Sequence, residues 1–132
     1  MTSSEPPNWK ARLLAVLGAN PNYKQGVRLF TAWRMAEGGS AAWNPLNTMF
    51  QLNRSTNYNT AGVQNYGHPI DGVCATALTL ANGYYTGILG ALQGGLLTAE
   101  QIVERHGREL DVWGTGAAHV AACLATMRQR GE

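Results

Sequence analysis

Apolar positions recur with a helical period in five stretches of this chain. Trp9, Leu13, Val16 and Leu17 share one face of a first predicted helix, capped by Asn8 and stopped at Gly18. Asn20-Pro21 is a cap followed by proline at the first helical position. It opens a second helix, from Pro21 to Glu37, that ends at Gly38-Gly39. A third helix takes Asp71 as its cap and runs to Leu92, with Gly83 as the place where it can break. Val73, Ala77, Leu80, Tyr84 and Ile88 give it one apolar stripe, and Cys74, Leu78, Ala81, Tyr85 and Leu89 a second beside the first. So wide an apolar surface predicts a buried, central helix. Thr98 and Gln101 stand in capping-box spacing ahead of a fourth helix that ends at Gly107. The last, over 115–129, buries Ala117, Val120, Ala121, Leu124 and Met127 and carries Arg128 and Arg130 near its C-terminus, where the helix dipole favours cations.

Residues 38–68 break this pattern. They hold no sustained period of either kind and are dense in Asn, yet Trp43, Met49, Phe50, Leu52, Tyr58, Val63 and Tyr66 make them too apolar for a disordered linker. A short hairpin fits around Met49–Asn59, or at most within 49–66. Loops this long inside compact domains are mostly functional. The expectation is a mainly α fold with at most a small β-hairpin, as one domain over 8–132 behind a loose tail at 1–7.

Composition sharpens the picture at one point. Only 14% of the 132 residues are charged, against the usual quarter, and between Gly38 and Ala99 the formal charges are Arg54 and Asp71 alone. The net charge of +2 is spread over both ends, so no basic patch suggests nucleic acid. No stretch approaches the ~20 apolar residues of a membrane span, which argues against membrane insertion. Cys74 and Cys123 fall in apolar helical patterns and read as small buried thiols, with one disulfide between them as the other option. With no CxxC and no Cys/His cluster, neither a metal site nor a cofactor is expected. The N-terminus carries Glu5, two prolines and an apolar run broken by Lys10 and Arg12, unlike a signal peptide. Synthesis in the cytoplasm is expected, with any action outside needing another route.

Glu37 is the candidate chemical group. It follows Gly26, Phe30 and Trp33 on the apolar stripe of the second helix and lies in its last turn, opposed by the helix dipole. Both circumstances favour the neutral acid, the form that donates a proton to a glycosidic oxygen. The plain alternative is a surface residue at a frayed end, paired with Arg34. The neighbouring loop suits a sugar polymer. Asn44, Asn47, Asn59, Gln64 and Asn65 offer neutral amides, Thr48 adds a hydroxyl, and Trp43, Tyr58, Tyr66, Tyr84 and Tyr85 offer rings for stacking. The same residues also serve as turn formers and core packing, and that account covers about half of them.

A Glu closing a helix, then a polar loop, then "NTAGVQNY" over 59–66, then an apolar helix resembles the lysozyme-like superfamily, closest to goose-type lysozymes and soluble lytic transglycosylases. Gly62-Val63-Gln64 resembles that family's Gly-Leu-Met-Gln motif with one residue fewer before the Gln. The segment from about 29 to 95 also resembles a module in proteins of phages that infect actinobacteria. The resemblance implies cleavage of peptidoglycan glycan strands, with Glu37 as catalytic acid and Gln64, Asn65 and Tyr66 holding substrate beside it. Other virion or lysis proteins are then possible partners, and the site of action is the cell wall, after release or as part of a virion. A lytic transglycosylase uses one acid and lets the substrate close its own 1,6-anhydro ring, whereas a hydrolase adds a second carboxylate. Asp71 is the candidate for that second role, although a helix cap is the first reading of it. Two alternatives stand beside the enzyme: a non-catalytic wall-binding module of the same fold, and a peptidoglycan peptidase using Cys74 with His68.

Overall fold

The computed structural model describes residues 3–132. Among them are six α-helices: α1 (Trp9–Val16), α2 (Lys24–Glu37), α3 (Pro69–Leu80), α4 (Thr86–Gly94), α5 (Ala99–Trp113) and α6 (Ala117–Gln129). Two short strands, β1 (Thr56–Asn57) and β2 (Gln64–Asn65), pair antiparallel, with Thr56 opposite Asn65 and Asn57 opposite Gln64. The fold is mainly α with a small hairpin, as expected, but the hairpin spans 56–65 rather than Met49–Asn59, within the wider 49–66 range.

The element boundaries differ from expectation where side chains compete for the backbone. The Asn20 side chain accepts from the Asn22 N–H at 2.9 Å, so Pro21 lies in a turn and α2 starts at Lys24. Asn8 precedes α1 in a left-handed conformation, with φ 55°, and makes no side-chain cap. Asp71 does not cap α3. The helix begins two residues earlier, at Pro69, whose preset φ and missing N–H suit a first position, and Asp71 falls in the first turn. The third helix breaks at Gly83 as expected, into α3 and α4, where the Tyr84 N–H turns onto the Asn82 side chain at 3.0 Å. Gly107 does not end α5. The helix bends at His106 and continues to Trp113, and Gly107 is where α6 crosses: a Cβ there would lie 2.8 Å from that of Ala117. The Thr98–Gln101 capping box is present as expected.

One cluster of buried side chains joins all six helices. α2 packs on α6, α1 and α5, α5 also on α6 and α4, and α1 on α3. α6 buries Val120, Leu124 and Met127, but Ala117 is only half-buried and Ala121 is exposed. Cys74 and Cys123 are half-buried free thiols. The expected loose tail is held down over its described part. Ser3 accepts from the Trp43 N–H at 2.9 Å, Ser4 accepts from Arg34 at 2.7 Å, and Glu5 accepts from the Trp9 indole at 3.1 Å. Residues 1 and 2 of that stretch lie outside the described residues.

Two features fix the 38–68 segment on this core. Leu46 is fully buried, and its carbonyl accepts from the Trp113 indole at 2.9 Å. At Gly72, on α3, the Trp43 carbonyl oxygen would lie 1.6 Å from a Cβ, so only glycine lets loop and helix backbones touch there. Trp43 itself is left-handed, with φ 52°, an unusual state for a bulky residue.

Candidate active site

Along α2 a row of rings leads to Glu37. Trp9 and Phe30 lie 5.8 Å apart, Phe30 and Trp33 6.4 Å, and Trp33 meets Trp113 edge to face at 5.0 Å. Phe30 and Trp33 are wholly buried, as the stripe requires, and Glu37 ends it half-buried. The Glu37 carboxylate accepts from the Asn47 amide at 3.1 Å on Oε1 and from the Thr115 hydroxyl on Oε2. Thr115 in turn accepts from the Trp33 indole N–H at 2.9 Å. Arg34 is not Glu37's partner. Its guanidinium donates to the carbonyls of Gly38, Gly39 and Pro45, the last two at 3.0 and 3.3 Å, and lies 3.9 Å from Glu5. It thereby covers the carbonyl-rich end of α2, where a negative side chain meets the opposing dipole. Among the described residues Glu37 has no cationic partner.

The loop residues divide sharply. Asn47, left-handed with φ 58°, reaches both Glu37 and the Gly38 carbonyl. Asn44, Thr48 and Gln64 are instead almost wholly buried and engaged with the loop itself. The Asn44 amide donates to the carbonyls of Thr48 and Gln64 at 2.9 and 2.8 Å and accepts from the Thr48 N–H at 2.9 Å. Thr79 donates to the Ala75 carbonyl, so Thr48 must donate in its bond to Thr79. The Gln64 amide accepts from Ser55 at 2.7 Å and donates to Asn57 and the Gly62 carbonyl at 2.7 and 2.9 Å. These three residues hold the hairpin in shape and have no free face for a sugar. Tyr66 is also buried, its hydroxyl donating to the Phe50 carbonyl at 2.5 Å, and burial pushes that hydroxyl above the ordinary phenol range.

Asn65 is half-buried and accepts from the Ala42 N–H at 2.9 Å. Asn59 is exposed and closes the hairpin turn by accepting from the Val63 N–H at 3.1 Å. Trp43 is half-buried. Tyr58 is exposed, with its hydroxyl 2.9 Å from Ser40 Oγ, on the strand of loop that follows Glu37. Tyr84 is exposed between α3 and α4, whereas Tyr85 is buried edge to face against Trp113 at 5.1 Å.

Asp71 is half-buried in the first turn of α3 and makes no side-chain hydrogen bond among the described residues, to Glu37 or any other group. Cys74 lines an apolar groove of about 410 Å³ with Leu17, Ala77, Leu78 and Leu89. His68 is exposed and does not line that groove. Two further concavities lie by Trp9 and by Pro21, and Glu37 lines neither of them nor the Cys74 groove. Among the described residues no three His, Cys, Asp or Glu side chains cluster as metal ligands do.

The Thr115 bond to Glu37, with the Trp33 bond behind it, is the contact that sequence reasoning missed. Trp33 was visible as Glu37's neighbour on the stripe, one turn earlier. Thr115 lies 78 residues away in "WGTG", which reads only as a turn. No known protein family, curated relative or solved structure matches this chain.

Proposed function

We propose that this protein cleaves the glycan strands of peptidoglycan, with Glu37 as the general acid. One observation carries the reading: a half-buried carboxyl group without a cationic partner among the described residues, beside a loop almost free of charge. A structural acid in such a place normally pairs with Lys or Arg, as Glu100 does with Arg28 and Arg128 here. A carboxyl group spared that pairing can pass a proton to a leaving glycosidic oxygen. The lysozyme-like resemblance of the Glu37 helix end and the 59–66 segment supports the same substrate. In this reading Asn47, Trp43 and Tyr58 face the strand, while Asn44, Thr48 and Gln64 keep the loop in shape behind them. Asp71, with no contact to Glu37, acts as a first-turn acid favoured by the α3 dipole rather than as a water-activating base. The chemistry is then that of a lytic transglycosylase: Glu37 protonates the departing oxygen, and the carboxylate so formed takes the proton of the sugar's own hydroxyl as that hydroxyl attacks the anomeric carbon. A phage lysis or virion role on the actinobacterial wall fits that activity.

Mass spectrometry of fragments released from purified peptidoglycan tests this directly. Anhydro ends are expected from the wild type and none from Glu37→Gln. Equal release by both proteins, or free peptides without glycan fragments, would overturn the assignment. A second reading rests on the burial of Asn44, Thr48 and Gln64, which leaves few groups to grip a reacting sugar: a wall-binding module without turnover. That module would co-sediment with peptidoglycan equally well as wild type and as Glu37→Gln, with no fragments from either.

A further inference from the structure

We propose that Thr115 is a positioning residue for Glu37, the middle link of a one-way hydrogen-bond relay from the Trp33 indole to the carboxylate. The catalytic meaning of this relay rests on the glycan-cleaving reading above; its existence does not. The direction follows from the donor inventory. An indole N–H can only donate, so Thr115 Oγ1 must accept from Trp33 at 2.9 Å. The single hydroxyl proton of Thr115 is thereby left for Glu37 Oε2. Asn47 supplies the opposite end: its amide nitrogen, also donor-only, holds Oε1 at 3.1 Å. A carboxyl group fixed at both oxygens cannot rotate about its last bond without breaking one of these contacts.

The anchors of the relay are rigid. Trp33 is wholly buried and braced edge to face by Trp113 at 5.0 Å. The Trp113 indole is tied to the Leu46 carbonyl, one residue before Asn47. The two donors on Glu37 therefore hang from one connected unit: α2 through Trp33, the α5–α6 turn through Thr115, and the loop through Leu46 and Asn47. Thr115 is the piece that ties the C-terminal third of the chain to the acid. An acid that must meet a glycosidic oxygen at a fixed angle gains from such a hold, because a misplaced proton donor lowers the rate more than it lowers binding. In this role Thr115 touches no substrate.

The test compares Thr115→Val, which keeps the shape and removes the hydroxyl, with Thr115→Ser, which keeps the hydroxyl. The first readout is the Trp33 indole N–H resonance in a ¹H–¹⁵N spectrum of the folded protein. It should move upfield in Thr115→Val, stay near its wild-type position in Thr115→Ser, and respond to Glu37→Gln although Trp33 and Glu37 are not in direct hydrogen-bond contact. An indole resonance indifferent to Thr115→Val, or one that ignores Glu37→Gln, overturns the relay, and neither result depends on the protein cleaving anything. The second readout is glycan release. Thr115→Val should lower kcat about tenfold with KM little changed, the upper end of what one ordinary hydrogen bond contributes, and Thr115→Ser should restore most of it. Wild-type kcat in Thr115→Val overturns the positioning role. If no variant, the wild type included, releases fragments while the indole behaves as expected, the relay stands and the glycan-cleaving reading falls.

Discussion

Gln64 and Asp71 show how differently two polar residues near one site behave. Gln64, itself buried, binds Ser55, the exposed Asn57 and the Gly62 carbonyl through its amide. Gln64→Ala removes three hydrogen bonds that shape the hairpin, and about 2 kcal/mol of stability should be lost in chemical denaturation, ahead of any specific loss of activity per folded molecule. Asp71 has no side-chain bond to lose. Asp71→Asn should therefore leave the melting temperature and glycan release close to wild type. A loss of several orders of magnitude in release with the fold intact would make Asp71 a base after all. At this scale the sequence was readable for Glu37, because its place on the Phe30–Trp33 stripe depends only on helical spacing. It was unreadable for the amides. An Asn or Gln has the same composition whether it grips a ligand or its own loop, and the choice between the two is set by tertiary burial, which no local pattern reports. The buried Asn44 and Gln64 and the exposed Asn59 are therefore indistinguishable in sequence.

At the scale of elements, the helices with strong local punctuation were legible. The Thr98–Gln101 box and the Gly38-Gly39 stop both lie where their chemistry predicts. What local punctuation cannot reveal is a cap supplied from another element. The N-terminus of α4 has no side-chain cap of its own. Its Gly87 and Ile88 N–H groups donate instead to Glu109 of α5, at 2.9 and 2.8 Å. This distant cap helps explain why the chain can break after Leu80 and start a new helix at Thr86. Glu109→Ala should cost about 1 kcal/mol, the ordinary worth of an N-cap. Amide hydrogen exchange at Gly87 and Ile88 should quicken before that of α3. Arg34 does the matching service at the other end of a helix, and Arg34→Ala should loosen the 38–47 segment by freeing the carbonyls of Gly38, Gly39 and Pro45.

Across the whole molecule, one ion cluster joins three helices. Glu100 at the start of α5 pairs with Arg28 of α2 at 2.5 Å and with Arg128 of α6 at 2.7 Å. The Arg28 hydrogen bond, opposed by burial and aided by Arg128, holds the Glu100 carboxyl down at about 2. A carboxyl depressed on folding stabilises the native state above its unfolded pKa and loses that contribution as pH falls through the folded one. Stability should thus decline from about pH 4.5 downward toward pH 2. Glu100→Gln should flatten that limb in thermal melts at successive pH values. Arg128 is largely exposed, so solvent screening keeps the contribution near ~1 kcal/mol, and added salt should shrink it further. Sequence showed Arg128 only as a cation suited to a helix end; that it meets an acid 28 residues away depends on how α5 and α6 pack.

The row of rings that ends at the acid also makes the protein its own optical instrument. Trp33 and Trp113 stand edge to face at an interplanar angle of 75°, with Tyr85 against Trp113. Chromophores locked this closely in a chiral frame give the folded chain a strong near-ultraviolet dichroic signature, which melts with the tertiary structure rather than with the helices. Trp33 lies one hydrogen bond from Thr115, and Trp113 one from the loop carrying Asn47. A glycan settling against Glu37 should therefore change tryptophan emission without any attached dye, and Trp33→Phe should abolish most of that change while Trp9→Phe leaves it intact.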